Sequence, residues 1–278
     1  MWRMTSSGRG GGEGSGTTRL TLAAAQFEPR PGDVRWNISR SIELAARAGV
    51  RGADLVVLPE LGTTGYYMFD RFRDLAEPLD GPTMTIMTEL ASRWDFHVVV
   101  GLAERAKDDQ VYDSAVLVGP GGVAGVYRKR HLWDRERGVF TPGTDPPVVN
   151  AGARLGRLGL LVCYDLEFPE MADLVQAGDG RLLAAPAAFG NLTLWKATLA
   201  TRVRDLGIPV VAANRLGLEG DTRFCGHSMV IAADGEVLAD AGTTPGIAMA
   251  EVTLGPGGSR GRKKGGGKDP HLIHPEFG

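Results

Sequence analysis

The sequence is short of cysteine, of net charge and of long apolar runs, and each shortage excludes something. Cys163 and Cys225 are the only two cysteines in 278 residues. They make no disulfide framework and no C-x-x-C pair. The five histidines (His97, His131, His227, His271 and His274) fall at no zinc-binding spacing. No metal and no cofactor is therefore expected, and a reducing, cytoplasmic setting fits best. The 31 basic and 33 acidic residues nearly cancel, to a net charge of −2. That balance gives no global pull toward nucleic acid or an anionic membrane. No apolar stretch reaches the ~18–20 residues needed to cross a bilayer. The opening residues also lack the apolar core of a signal peptide.

What is present is a chain 43% apolar, enough for a sizeable core. Glycine, serine and threonine dominate residues 1–17, which read as a flexible leader. A second glycine-rich run, basic as well, opens the segment 255–278 and reads as a solvated tail or an anion-binding one. No linker divides residues 18–254, so one domain is expected there. Strand patterns fall at 19–27, 53–60, 96–102, 157–165, 181–188, 208–215 and 247–252. Helical spacing marks a stretch capped by Asn37, then 83–94, 168–178 with a proline in its first turn, and 194–207. Turn signals at PGG (120–122) and Asp234-Gly235 predict hairpins. Alternating strands and helices interrupted by hairpins point to mixed sheets faced by helices, a layered α/β sandwich.

Three of these strand patterns end in reactive side chains: Glu60 after VVLP, Lys129 after GVYR, Cys163 after LGLLV. Each alone has a plain structural reading, as an exposed strand terminus, a solvated basic turn and a small buried hydrophobe. Together they make chemistry. A thiol of unperturbed pKa ~8.5 is mostly protonated at neutral pH. A nearby carboxylate can take its proton and later activate water. A nearby ammonium favours the thiolate and can stabilise an oxyanion.

The blocks DLVVLPELGTTGY (54–66), VYRKRHLW (126–133), ERGVFTPG (136–143), LVCYDLEFPE (161–170) and VVAANRLG (210–217) occur in that order. On them the chain resembles the nitrilase or carbon–nitrogen hydrolase superfamily, amidase branch, over roughly residues 18–254. Five ordered blocks are far more specific than one short motif. The resemblance implies a four-layer α-β-β-α sandwich and a core homodimer or higher homo-oligomer. It implies a catalytic triad of Glu60 (general base and acid), Lys129 and Cys163 (nucleophile). The backbone N–H of Tyr164 would complete the oxyanion hole with Lys129, and Glu136 would orient Lys129 and the substrate amide.

Tyr164 and Asp165 follow the cysteine, as in the amidase branches, where true nitrilases have tryptophan and glutamate. A carboxamide is thus expected ahead of a nitrile. Glu167 stands where many relatives carry arginine. It would repel an anionic substrate tail and pair with an ammonium, so a neutral aliphatic or ω-amino amide is expected, as for aliphatic amidases and 5-aminopentanamidases. Tyr66, Phe189 and Trp195 are expected to wall the pocket. Hydrolysis of a carbamoyl amine, acyl transfer, nitrile hydrolysis and a silent scaffold of the same fold stay open as alternatives.

Overall fold

The computed structural model describes residues 17–255. The leader expected over 1–17 and the tail expected over 255–278 lie outside these, save their boundary residues. Strands run over Thr18–Gln26 (β1), Leu55–Val57 (β2), His97–Arg105 (β3), Val111–Gly119 (β4), Gly122–Arg128 (β5), Val148–Asn150 (β6), Arg157–Leu160 (β7), Leu182–Ala187 (β8), Val210–Asn214 (β9), Leu216–Glu219 (β10), Thr222–Cys225 (β11), Met229–Ile231 (β12), Val237–Asp240 (β13) and Gly246–Leu254 (β14). Helices run over Val34–Val50 (α1), Phe72–Leu75 (α2), Pro82–Trp94 (α3), Gly152–Leu155 (α4), Pro169–Ala177 (α5) and Leu192–Leu206 (α6).

The strands form two six-stranded sheets, ordered β14-β1-β2-β3-β4-β5 and β13-β12-β9-β8-β7-β6, and a small β10-β11 ribbon. Both large sheets have the same plan. Three parallel strands lie at the centre (β1, β2, β3 and β7, β8, β9), with antiparallel strands outside them. Central strands buried on both faces read as continuous apolar runs. In β1 the pleat divides that run. Leu20, Leu22 and Ala24 face the other sheet, and Ala23 and Ala25 face α1. Helices α1 and α3 cover the first sheet through Leu44, Ala48, Met84 and Met87. Helices α5 and α6 cover the second through Met171, Val175, Leu199 and Val203. The result is the layered sandwich of mixed sheets that the alternation implied, with the four layers that the resemblance implied. A leucine fully buried between the sheets contributes about 1.5–3 kcal/mol relative to an exposed one.

The structure corrects several boundaries. Helix α1 is capped by Asp33, whose carboxylate accepts from Trp36 N–H at 3.1 Å. Asn37, expected as the cap, lies buried inside the helix. Its side chain binds both backbone groups of Arg30 and the carbonyl of Thr63, at 2.7–3.1 Å. It therefore ties the helix to the loop that follows Glu60. The strand expected over 157–165 stops at Leu160, because the chain turns into a short 3-10 helix, Cys163–Glu167. Strands β6, β10 and β11 were not anticipated. β6 has only three residues, and β10 and β11 join through Gly220 at φ 57°.

Candidate active site

Glu60, Lys129, Glu136 and Cys163 meet at one end of the two sheets, each on the chain just beyond a strand or in a short 3-10 turn. Glu60 lies three residues past β2, before a tight turn with Leu61 at φ 46°. The approach of this loop to the sheet needs Gly101 on β3. A Cβ there would lie 2.2 Å from the Pro59 carbonyl oxygen and 2.7 Å from Glu60 Cα. Lys129 follows β5 directly, its N–H on the Asp113 carbonyl and its carbonyl accepting from Gly143 N–H, both at 2.8 Å. Gly143 is bare for the same reason as Gly101, since a Cβ would meet the Arg128 carbonyl oxygen at 2.1 Å. Glu136 sits in the 3-10 turn Asp134–Gly138, where Oε2 accepts from Trp133 N–H at 2.9 Å.

Cys163 opens its 3-10 turn at φ 46°, a conformation that L residues avoid. Asp165 closes that turn. Its carboxylate accepts from Val162 N–H (3.3 Å), Tyr127 OH (2.9 Å) and His131 N–H (2.9 Å). His131, which stacks on Phe168 at 3.7 Å, also meets Asp165 through Nδ1 at 3.0 Å. Two of the acids and aromatics crowded after the cysteine thus brace the turn that displays it.

Lys129 Nζ is the hub. It lies 2.6 Å from Glu60 Oε1, 2.8 Å from Glu136 Oε1 and 3.4 Å from Asp113 Oδ2. All four side chains are 0% exposed, so no water screens them. Burial alone would lower the Lys129 pKa, but Glu136, Glu60 and Asp113 outweigh it and hold the ammonium well above the ordinary range. Burial, then the charge on Glu60, push the Cys163 thiol well above its ordinary value, against Lys129 and the Ala188 N–H, which donates to Sγ at 3.5 Å. That direction favours a thiol that needs a base to take its proton over a standing thiolate. Burial also raises Glu136, while Lys129 pulls it down. Carboxylate oxygens of Glu60, Asp113 and Glu136 lie within 4.8 Å of one another, a set that could face a cation. Here the cation among them is the ammonium.

A network that sequence reading missed supports the hub. Tyr66 donates its hydroxyl to Glu136 Oε1, and burial raises the phenol well above its ordinary pKa. The backbone of Tyr66 is fixed in turn, because its N–H donates to both oxygens of Glu219 at 3.1 Å, and Tyr67 N–H adds 2.8 Å. Glu219 pairs with buried Arg215 at 2.5 Å, and that guanidinium lies 4.3 Å over the Phe224 ring. Phe224 packs back on Tyr66 at 5.6 Å.

The other expected site residues fall around this hub. Tyr164 and Glu167 are half-buried on the turn that carries Cys163. Phe189 follows β8, its backbone held by Asn214 at 2.7 and 3.1 Å. Trp195 is fully buried behind Phe189, with its indole N–H on the His227 carbonyl at 2.8 Å. It supports the Phe189 ring and offers no surface of its own. Cys225 is half-buried and accepts from Asn214 at 3.2 Å.

A buried thiol, a carboxylate and an ammonium on a mixed α/β sandwich define an enzyme of the amidase type, one that cleaves carbon–nitrogen bonds. Residues 21–259 match the family model described as carbon-nitrogen hydrolase, and the chain belongs to that family. It is 35% identical over 246 residues to a nitrilase of Pyrococcus abyssi, covering 84% of this chain and 90% of that protein. An (R)-stereoselective amidase of a Pseudomonas species is 34% identical over 231 residues, covering 80% and 81%. Among solved structures, a mutant amidase from Nesterenkonia sp. AN1 superposes with a TM-score of 0.76 at 30% identity, covering 84% and 89%. That structure shows covalent addition of the acetamide moiety of fluoroacetamide at its active-site cysteine. Among the described residues no helix is long and apolar enough to cross a membrane.

Proposed function

We propose that residues 18–254 form one hydrolase domain that converts a small carboxamide to a carboxylic acid and ammonia through a thioester on Cys163. Glu60 takes the thiol proton as Sγ attacks the amide carbon. Lys129 Nζ and the Tyr164 N–H stabilise the oxyanion. Glu60 then gives the proton to the amide nitrogen, the C–N bond breaks and ammonia leaves. Water gives a proton to Glu60 and attacks the thioester, and the thiol is released. Glu136 keeps the ammonium aimed at the carbonyl. The observation that carries this reading is an ammonium clamped between two buried glutamates, with the buried Cys163 thiol near enough to feel both the ammonium and Glu60. Each resting proton then has a place to go and return from.

For the substrate, Glu167 on the nucleophile's turn favours a neutral or ω-amino amide. A second reading rests on a cavity of about 380 Å³ lined by Arg130, His131, Arg137, Tyr164 and Phe168. Two guanidiniums beside the residue after the nucleophile suit a carboxylate on the substrate. An ammonia-release assay over matched amides ending in a methyl, an amine or a carboxylate, with carbamoyl amines and nitriles alongside, separates these. Ammonia from amides, highest for methyl or amine ends, supports the first reading. Preference for the carboxylate end supports the second. Turnover of nitriles alone would refute the amidase reading.

A further inference from the structure

The hub holds one more acid than its ammonium reaches by hydrogen bond. Glu60 and Glu136 reach Lys129 Nζ at charge-assisted hydrogen-bond distances, while Asp113 stands off at 3.4 Å. Asp113 lies near the start of β4, a strand buried along its whole length, and is itself fully buried. Neither of its carboxyl oxygens makes a hydrogen bond, and the same is true of Glu60 Oε2. Three buried atoms are thus unsatisfied together, within one cluster of carboxylates. A single proton removes the problem. A carboxyl can donate where a carboxylate only accepts, and two acids crowded in a dry site share one proton rather than both ionise.

We propose that Asp113 is a positioning residue for the reaction read above: as a protonated carboxyl it donates to Glu60 Oε2, fixing the base while Glu60 Oε1 stays on Lys129. This rests on the amidase reading for its kinetic consequence only. The groups facing Asp113 are Glu60 after β2, Lys129 after β5 and Glu136 from its 3-10 turn, with Cys163 and the Tyr66 phenol beyond them. Burial first, then the charge on Glu60, push the Asp113 carboxyl well above the usual range, and Lys129 opposes them. With Asp113 neutral, one ammonium faces two carboxylates, and Glu60 can accept a proton during attack without leaving its seat. An asparagine amide has the same shape and can donate the same bond; an apolar side chain cannot.

Three measurements test this. Asp113→Asn is expected to keep kcat/KM for the best amide within about 3-fold of wild type. Asp113→Leu, with Asp113→Ala as a second variant in case leucine prevents folding, is expected to lose about 10- to 100-fold, the range for a hydrogen bond to a charged group. Cooperative thermal melting confirms that each variant assayed is folded. Independently of turnover, the infrared C=O stretch of a protonated carboxyl is expected in the wild-type protein at neutral pH and is expected to disappear in Asp113→Asn. An Asp113→Asn enzyme as impaired as Asp113→Leu would overturn the proposal, as would a fully active Asp113→Leu or a band unchanged by Asp113→Asn. If the wild-type protein releases no ammonia from any amide, the amidase reading fails, and the infrared band still decides where the proton sits.

Discussion

Gly101→Ala should disable the enzyme by displacing the loop that carries Glu60. A Cβ on residue 101 would lie 2.2 Å from the Pro59 carbonyl oxygen, 2.7 Å from Glu60 Cα and 2.9 Å from Leu61 N. All three are backbone atoms, so no side chain can swing aside. Normal contact needs more than 3 Å, so the Glu60 loop must retreat by about 1 Å. Glu60 Oε1 sits 2.6 Å from Lys129 Nζ, and a shift of that size breaks the pair and misaligns the proposed base. Misplacement of a catalytic group by about 1 Å costs on the order of 10²-fold, and forcing a methyl into a tight site costs about 1–3 kcal/mol of stability. The assay is kcat for ammonia release alongside a thermal melt, with Gly121→Ala as control, where a Cβ meets nothing within 4 Å. Gly101→Ala should stay folded with kcat down about 100-fold, and Gly121→Ala should match wild type. A Gly101→Ala enzyme with wild-type kcat would refute the argument that this close approach positions the base.

Lys129→Met removes the proposed oxyanion donor and should lower kcat by about 10²–10³-fold; it also leaves Glu60 and Glu136 facing each other without their cation, so its melting temperature should fall. Tyr66→Phe takes one donor from Glu136, which keeps Lys129 and the Trp133 N–H at 2.8 and 2.9 Å. The fold should survive, and kcat/KM should fall by about 10- to 100-fold. The Tyr66 bond lowers the Glu136 pKa, so its loss raises that pKa and keeps the protonated form to higher pH. The acid limb of the kcat–pH profile should therefore move upward. Glu219→Ala strands the buried Arg215 guanidinium, and chemical denaturation should show about 3–5 kcal/mol lost.

The strands before Glu60 and Cys163 were readable because parallel central strands are apolar on both faces and end abruptly, and the antiparallel edge strand before Lys129 because a hairpin turn opens it. VVLPE, GVYRK and LLVC each stop where a charge or a thiol begins. What those patterns could not show is how far each reactive residue stands beyond its strand. The chain leaves β7 at Leu160, and the positive φ of Cys163 is enforced by Asp165, Tyr127 and His131, which come together only in three dimensions. Asn37 looked like a cap because it precedes an amphipathic stretch; its actual partners are Arg30 and Thr63. Asp113 went unremarked inside VYDSAVLV, although a lone acid in a strand otherwise buried on both faces is itself a signal. The Tyr66–Glu219–Arg215 network joins the loop after β2 to strand β10 and the residue before it, in opposite halves of the chain, and no local period marks such a pairing.

The most direct test of the central claim is the mass of the enzyme caught during turnover. The protein is mixed with a good amide substrate, quenched in acid within one turnover and digested for peptide mapping by mass spectrometry. The account predicts the substrate's acyl group on the peptide containing Cys163, none on the peptide containing Cys225, and no adduct in Cys163→Ala, which should be inactive. Steady ammonia release with no acyl group on Cys163, or undiminished release by Cys163→Ala, would contradict it.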